Sequence, residues 1–147
     1  MTHIGCLVTG LLLSIASLQV RADPPCNGHY PSWGRICNGG AHVTAKTIEW
    51  YASFSSCKPS SYEIIASDLE SDKPWVAYRF KKRSKNCRYE VMEIAAAKHD
   101  NWGIKGYVTA DDYKHRRDDP SAYLYCPVEP MPSGSCKLPL PAKAIRQ

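Results

Sequence analysis

The chain has no Cys-x-x-Cys pair, no glycine-rich phosphate loop and no Gly-x-Ser-x-Gly elbow, and each absence removes a class of chemistry. A structural zinc centre typically needs paired ligands at short spacing, and no Cys-x-x-Cys pair supplies them. A phosphate cradle needs glycines that open a helix, whereas the Gly39-Gly40 pair precedes a strand-like segment. An activated serine needs a strained elbow beside a base, and the serines between Ser53 and Ser61 read as polar loop. No internal repeat is visible. No cofactor and no metal site are expected, and no catalytic residue is assigned.

Long hydrophobic runs are scarce as well. The sustained apolar stretch is Leu7 to Leu18, followed by Val20, Arg21 and Ala22. A membrane-spanning helix needs about 20 apolar residues, so this segment is too short and reads as a signal peptide cleaved after Ala22. The organisation expected is a signal peptide over 1–22, a single β-rich domain over 23–128 and a proline-rich C-terminal tail over 129–147. No membrane span is expected after cleavage. Cys6 leaves with the signal, and Cys26, Cys37, Cys57, Cys87, Cys126 and Cys136 remain. An even cysteine count in an exported chain predicts up to three disulfides and a periplasmic or extracellular location. Six cysteines allow 15 pairings; a Cys57–Cys87 bridge is geometrically allowed, because both lie at one end of an antiparallel meander. With Arg21 removed, 18 basic residues face 14 acidic ones, a charge of +4. That surface is mildly basic, and no specific nucleic-acid binding is expected.

Alternation of apolar and polar residues supplies the fold. From Cys87 to Val108, Tyr89, Val91, Glu93 and Ala95 share one side at period two, while Arg88, Glu90, Met92 and Ile94 share the other. Lys98 to Asn101 then interrupt, and Trp102, Ile104, Gly106 and Val108 resume, which predicts a long antiparallel hairpin. Residues 42–51 predict one kinked strand, or two meeting near Ala45 and Lys46, with Ile48 and Trp50 in the core. Strands follow at 62–67 and 74–81, the second with Val76, Tyr78 and Phe80 on an apolar face and a wet opposite face. Residues 23–40 and 53–61 read as loops. Thr109 to Arg117 predicts one short helix, capped by Thr109 or Asp111, with acidic residues first and basic residues last. A final strand is expected over 121–128. Together these give a mainly β fold: an antiparallel meander of six to eight strands, strongly curved or closed into a small barrel, braced by disulfides and carrying one short helix.

Candidate sites come from aromatic residues and charge. Four tryptophans and nine tyrosines exceed what a small core encloses, and tyrosine beside lysine and arginine is the composition of binding surfaces. The run Lys81, Lys82, Arg83 and Lys85 precedes the first hairpin strand, so it lies at the end of the sheet where the helix begins. Lys82, Arg83, Lys85, Tyr107, Tyr113 and Arg117 are therefore expected to form a partner-binding surface for an acidic protein or envelope component. Tyr123 and Tyr125 are expected to face outward too. The competing reading is a small secreted hydrolase, a nuclease before a glycosidase. His42, His99 and His115 with Lys98 or Lys105 would do acid and base work, and Glu90 with Glu93, or Asp111 with Asp112, would be the sugar-cleaving carboxylates.

The segments T-I-E-W at 47 to 50, F-S-S-C at 54 to 57, C-R-Y-E-V-M-E-I at 87 to 94, W-x-x-x-G-Y at 102 to 107 and L-Y-C-P at 124 to 127 resemble small uncharacterised exported bacterial β proteins. More loosely, a signal peptide before a small disulfide-braced β domain is similar in architecture to the periplasmic lysozyme inhibitors. Their inhibitory motif is not found, so that similarity implies no inhibitory residue here. The expectation is an exported, non-enzymatic binding protein, an inhibitor, immunity or accessory factor.

Overall fold

Ile48 and Trp50, two residues apart in a strand, must point the same way, and both are fully buried. The computed structural model that places them describes residues 25–97, 101–116, 123–129 and 136. The expected signal peptide lies outside the described residues, as do Lys98, His99, Arg117 and all of the expected tail except Glu129 and Cys136. The first sheet contains β1 (Gly28–Tyr30), β2 (Gly40–Val43), β3 (Ile48–Ala52) and β4 (Ser55–Ser60). The second contains β5 (Tyr62–Asp68), β6 (Trp75–Phe80), β7 (Val91–Ala96), β8 (Trp102–Tyr107) and β9 (Tyr123–Val128). Every strand pairs antiparallel with its sequence neighbour within its sheet. The meander is as expected; its division into two sheets is not.

No closed barrel forms among the described residues. Ser61 alone separates β4 from β5, so the chain turns there from one sheet into the other. At the opposite margin the sheets touch through one bridge, Ser32 to Val128, and through the Glu129 amide, which donates to the Pro31 carbonyl at 3.2 Å. Nine strands are described, against six to eight expected. The additional ones fall in segments expected to be loops. β1 has only three residues, too few for a periodic signal. β4 carries serines and Pro59, which its position tolerates: it is the last strand of its sheet, and its register with β3 shifts between Ile48 and Trp50. Proline is found at such edges and bulges.

The core lies between the sheets. Ile48 and Trp50 from the first sheet meet Val76, Tyr78, Met92, Ile94, Ile104 and Val128 from the second, each such side chain contributing about 1.5–3 kcal/mol. Gly106 permits the closest approach, because a Cβ there would overlap the Trp50 ring. The outer face of the second sheet is not wet throughout. Ala77, Val91 and Tyr107 are covered by Tyr113 from the helix α1 (Ala110–Lys114). That helix is shorter than expected. Thr109 caps it reciprocally: its hydroxyl accepts from the Asp112 amide at 3.0 Å while the Asp112 carboxylate accepts from the Thr109 amide at 2.9 Å.

The Cys87 to Val108 alternation also fails at its start. Tyr89 packs on Trp50 in the core, with ring centroids 4.8 Å apart, whereas Val91 belongs to the outer cluster. The strand begins at Val91, and the residues before it follow a different path. Three disulfides join Cys26 to Cys136, Cys37 to Cys126 and Cys57 to Cys87. They suit an oxidising environment. Among the described residues no helix is long and apolar enough to cross a membrane.

Candidate functional site

The basic connection between β6 and β7 keeps its cations exposed, as its charge suggests, while its backbone and Ser84 fit against β4. Along the outer edge of β4, the Ser56 amide donates to the Asn86 carbonyl at 2.9 Å and the Lys58 amide to the Ser84 hydroxyl at 3.2 Å. The Ser84 hydroxyl donates to the Ser56 carbonyl at 2.7 Å, and the Arg88 amide donates to the Ser55 hydroxyl at 3.1 Å. The Cys57–Cys87 bridge fastens the same seam. These contacts satisfy backbone groups that an edge strand would otherwise leave open. Side chains not used by the seam remain exposed: Lys58, Lys82, Arg83, Lys85 and Arg88. They form a cationic stripe beside β4, whose six residues span roughly 17 Å at 3.3 Å per step.

Lys58, Lys82 and Arg83 with Ser60, Ser61 and Ser84 line a groove of about 400 Å³ at one end of this stripe. A second groove, of about 430 Å³, lies at the other end, and Ile36, Phe54, Arg88, Tyr89, Val108 and Leu124 are on its walls. Arg83 ties the stripe to the start of the helix segment, its guanidinium donating to the carbonyls of Arg88 and Val108 at 3.4 Å each. Glu90 lies close by, paired with Arg79 at 2.6 Å and accepting from the Ala110 amide at 3.2 Å. Partial burial pushes the Glu90 carboxyl up, but the hydrogen bonds from Arg79 and Ala110 and the charges of Arg79 and Arg83 outweigh it and hold the group below its ordinary value.

Phe54 stands at the tip of the β3–β4 hairpin, 94% exposed, with φ 66°. That backbone region is normally left to Gly or Asn, because a Cβ there crowds the following carbonyl at a cost of about 1–2 kcal/mol. Ile36, 55% exposed, lies beside it because the Ser53 amide donates to the Ile36 carbonyl at 2.9 Å. Trp33, 52% exposed, belongs to the same 31–39 connection. Cys37–Cys126 anchors this connection, and Gly40, at φ 84°, ends it where a Cβ would strike the Tyr30 carbonyl.

The expected partner surface is thus divided. Lys82, Arg83 and Lys85 are exposed at the predicted end of the sheet, and Arg117 lies outside the described residues. Tyr107 and Tyr113 are interior, their rings edge-to-face at 5.1 Å. Burial pushes the Tyr113 phenol up to about 12 despite the lowering effect of Arg116, and raises that of Tyr107 further still. The sequence misleads here because a covering helix of five residues turns outward-pointing strand positions into interior ones. Tyr125 is exposed as expected, while Tyr123 is half-buried. The exposed apolar residues of the site, Phe54 and Ile36, lie in segments expected to be loops, and only their being large apolar residues beside turn signals marked them.

Among the described residues the hydrolytic candidates are dispersed and already partnered. His42 on β2 lies 3.4 Å from Glu49 and stacks edge-on to His29 at 6.1 Å, on the face of the first sheet away from the core. His115 caps α1 beside the second sheet, 3.6 Å from Asp111, and Lys105 is bound to Glu93 at 2.8 Å. His99 and Lys98 lie outside the described residues. Glu90 is paired with Arg79 and Glu93 with Lys105 and Arg116, and Asp112 is used in the helix cap. No group of three metal-ligating side chains occurs among the described residues. The comparisons with known proteins return nothing: no family model, no curated protein and no solved structure matches the chain.

Proposed function

We propose that this chain is an exported, non-enzymatic binding protein of the periplasm or cell exterior, acting as an inhibitor, immunity or accessory factor on an acidic protein of the envelope. The observation that carries the reading is Phe54: a large aromatic, 94% exposed, in a left-handed conformation that favours a smaller residue. It adds nothing to the fold that offsets its backbone cost. As a contact residue it makes sense, since a rigid aromatic at a hairpin tip fills a partner's apolar cleft with little loss of side-chain entropy. The cationic stripe from Lys82 to Arg88 would steer and orient an acidic rim around that cleft. Cross-linking through three disulfides keeps both features in fixed relation.

The test is a comparison of baits. Wild type, Phe54→Asn, the charge reversal of Lys82, Arg83 and Arg88 to Glu, and Lys46→Glu are each presented to periplasmic extract. Lys46 is exposed in the β2–β3 turn, at the opposite end of β3 from Phe54. A partner retained by wild type and Lys46→Glu but lost by the other two supports the reading. Equal retention by all four overturns it. So would turnover of RNA, DNA or peptidoglycan by the folded protein that disappears in His115→Ala.

A further inference from the structure

A second charged site lies on the outer face of the five-stranded sheet. Glu93 and Lys105 are directly opposed across β7 and β8. Glu93 is only 4% exposed, yet it carries a carboxylate. Its oxygens meet the Lys105 ammonium at 2.8 Å and the Arg116 Nε at 3.7 Å. Arg116 is fixed independently: it donates to the Tyr113 carbonyl at 2.9 Å, and its guanidinium lies 4.0 Å from the Tyr113 ring centroid and 5.6 Å from that of Trp75. A buried carboxylate is costly unless paired. Here it holds two cations at set positions on the outer face of that sheet.

These two cations, with Lys73, edge an open pocket of about 250 Å³ whose other walls include Trp75, Ala95 and Glu93. Among the described residues, three cations against one carboxylate leave two positive charges in the pocket. Lys73 has no ion-pair partner among the described residues, and Lys105 and Arg116 use only some of their N–H groups on Glu93 and Tyr113. Ala95, opposite Trp75 in the β6–β7 register, is small enough to leave space beside the indole.

We infer that this pocket binds a small oxyanion-bearing ligand, a phosphate or carboxylate held by Lys73, Lys105 and Arg116, with its apolar part against Trp75. The site is separate from the Phe54 surface and does not depend on it. Arg116 is suited to the role because a guanidinium already stacked and oriented loses little entropy on accepting an oxyanion. Trp75 gives the charged pocket an apolar wall, against which the apolar part of a ligand can lie.

The probes are inorganic phosphate and acetate, each titrated into isotope-labelled full-length mature protein and followed by amide and indole N–H shifts, with sodium chloride at equal ionic strength as the control. Saturable movement of the Trp75 indole and the Ala95 and Lys105 amides is expected with at least one anion, and which anion binds more tightly separates a phosphate from a carboxylate ligand. Lys105→Gln should weaken binding at least ten-fold. Because that change also disturbs Glu93, Lys73→Gln is the second variant: it leaves the buried pair intact and should weaken binding several-fold, while Lys82→Gln should not. Shifts that chloride reproduces, that centre on Lys82 and Arg83, or that survive Lys73→Gln unchanged would overturn the site, as would failure of both anions to give a saturable response.

Discussion

Replacing Phe54 should make the protein more stable and less functional, and the two effects can be worked out separately. At φ 66° an L-residue with a large side chain is strained, at a cost of about 1–2 kcal/mol. The side chain recovers almost none of this: burial of a whole phenylalanine contributes about 1.5–3 kcal/mol, and Phe54 is 94% exposed. Asn enters the left-handed region more readily than other non-glycine residues, so Phe54→Asn should gain about 1 kcal/mol. Phe54→Gly relieves the strain fully but adds about 0.5–1 kcal/mol of unfolded-chain entropy, so its net gain should be about half as large. In a domain of this size 1 kcal/mol corresponds to a rise in Tm of about 4 °C. Urea unfolding of the oxidised protein measures the gain, and the same samples measure affinity for a captured partner, where loss of a buried aromatic anchor should cost about 2 kcal/mol, or roughly 30-fold. Destabilisation by more than 1 kcal/mol in both variants would show that Phe54 packs within the fold, and the functional reading of it would fall.

Gly106→Ala should cost about 1–3 kcal/mol, because the added methyl overlaps the Trp50 ring in a packed core; a urea midpoint unchanged from wild type would show that the sheets can separate there. Replacing Cys57 and Cys87 together by Ala opens a 30-residue separation, which by loop entropy corresponds to about 3.5 kcal/mol. Faster hydrogen exchange should then appear first at the Ser56 and Lys58 amides, which the seam protects, and uniform exchange across the molecule would refute the seam. The Glu90 carboxyl has its folded value below its ordinary value of 4.5. Its stabilisation is therefore complete above that value and is lost as pH falls through the lower folded value; Glu90→Gln should flatten the acid limb of the stability profile below about pH 4.5, and an unchanged limb in that variant would assign it to other carboxylates.

Period-two patterning determined much of this protein by itself. The core faces of β3 and β6, the β7–β8 hairpin and the sequential antiparallel order all follow from which residues alternate, because a strand side chain has only two directions to take. The six cysteines beyond the expected signal peptide implied paired thiols, and the capping pattern from Thr109 to Asp112 placed a helix start, since both depend on residues close in sequence or on number alone. What only the tertiary structure decided depends on neighbours far along the chain. β4 is a strand because β3 lies on one side of it and residues 84–88 on the other, neither visible in its serine-rich sequence. Tyr107 and Tyr113 are interior because α1 folds onto β8, whereas Phe54 is exposed because none of the described residues folds over its turn. Glu93, Lys105 and Arg116 meet because cross-strand register and a helix end bring them together. Exposure and charge clustering are properties of what packs against a residue, and a single sequence records that only where the packing partner is local.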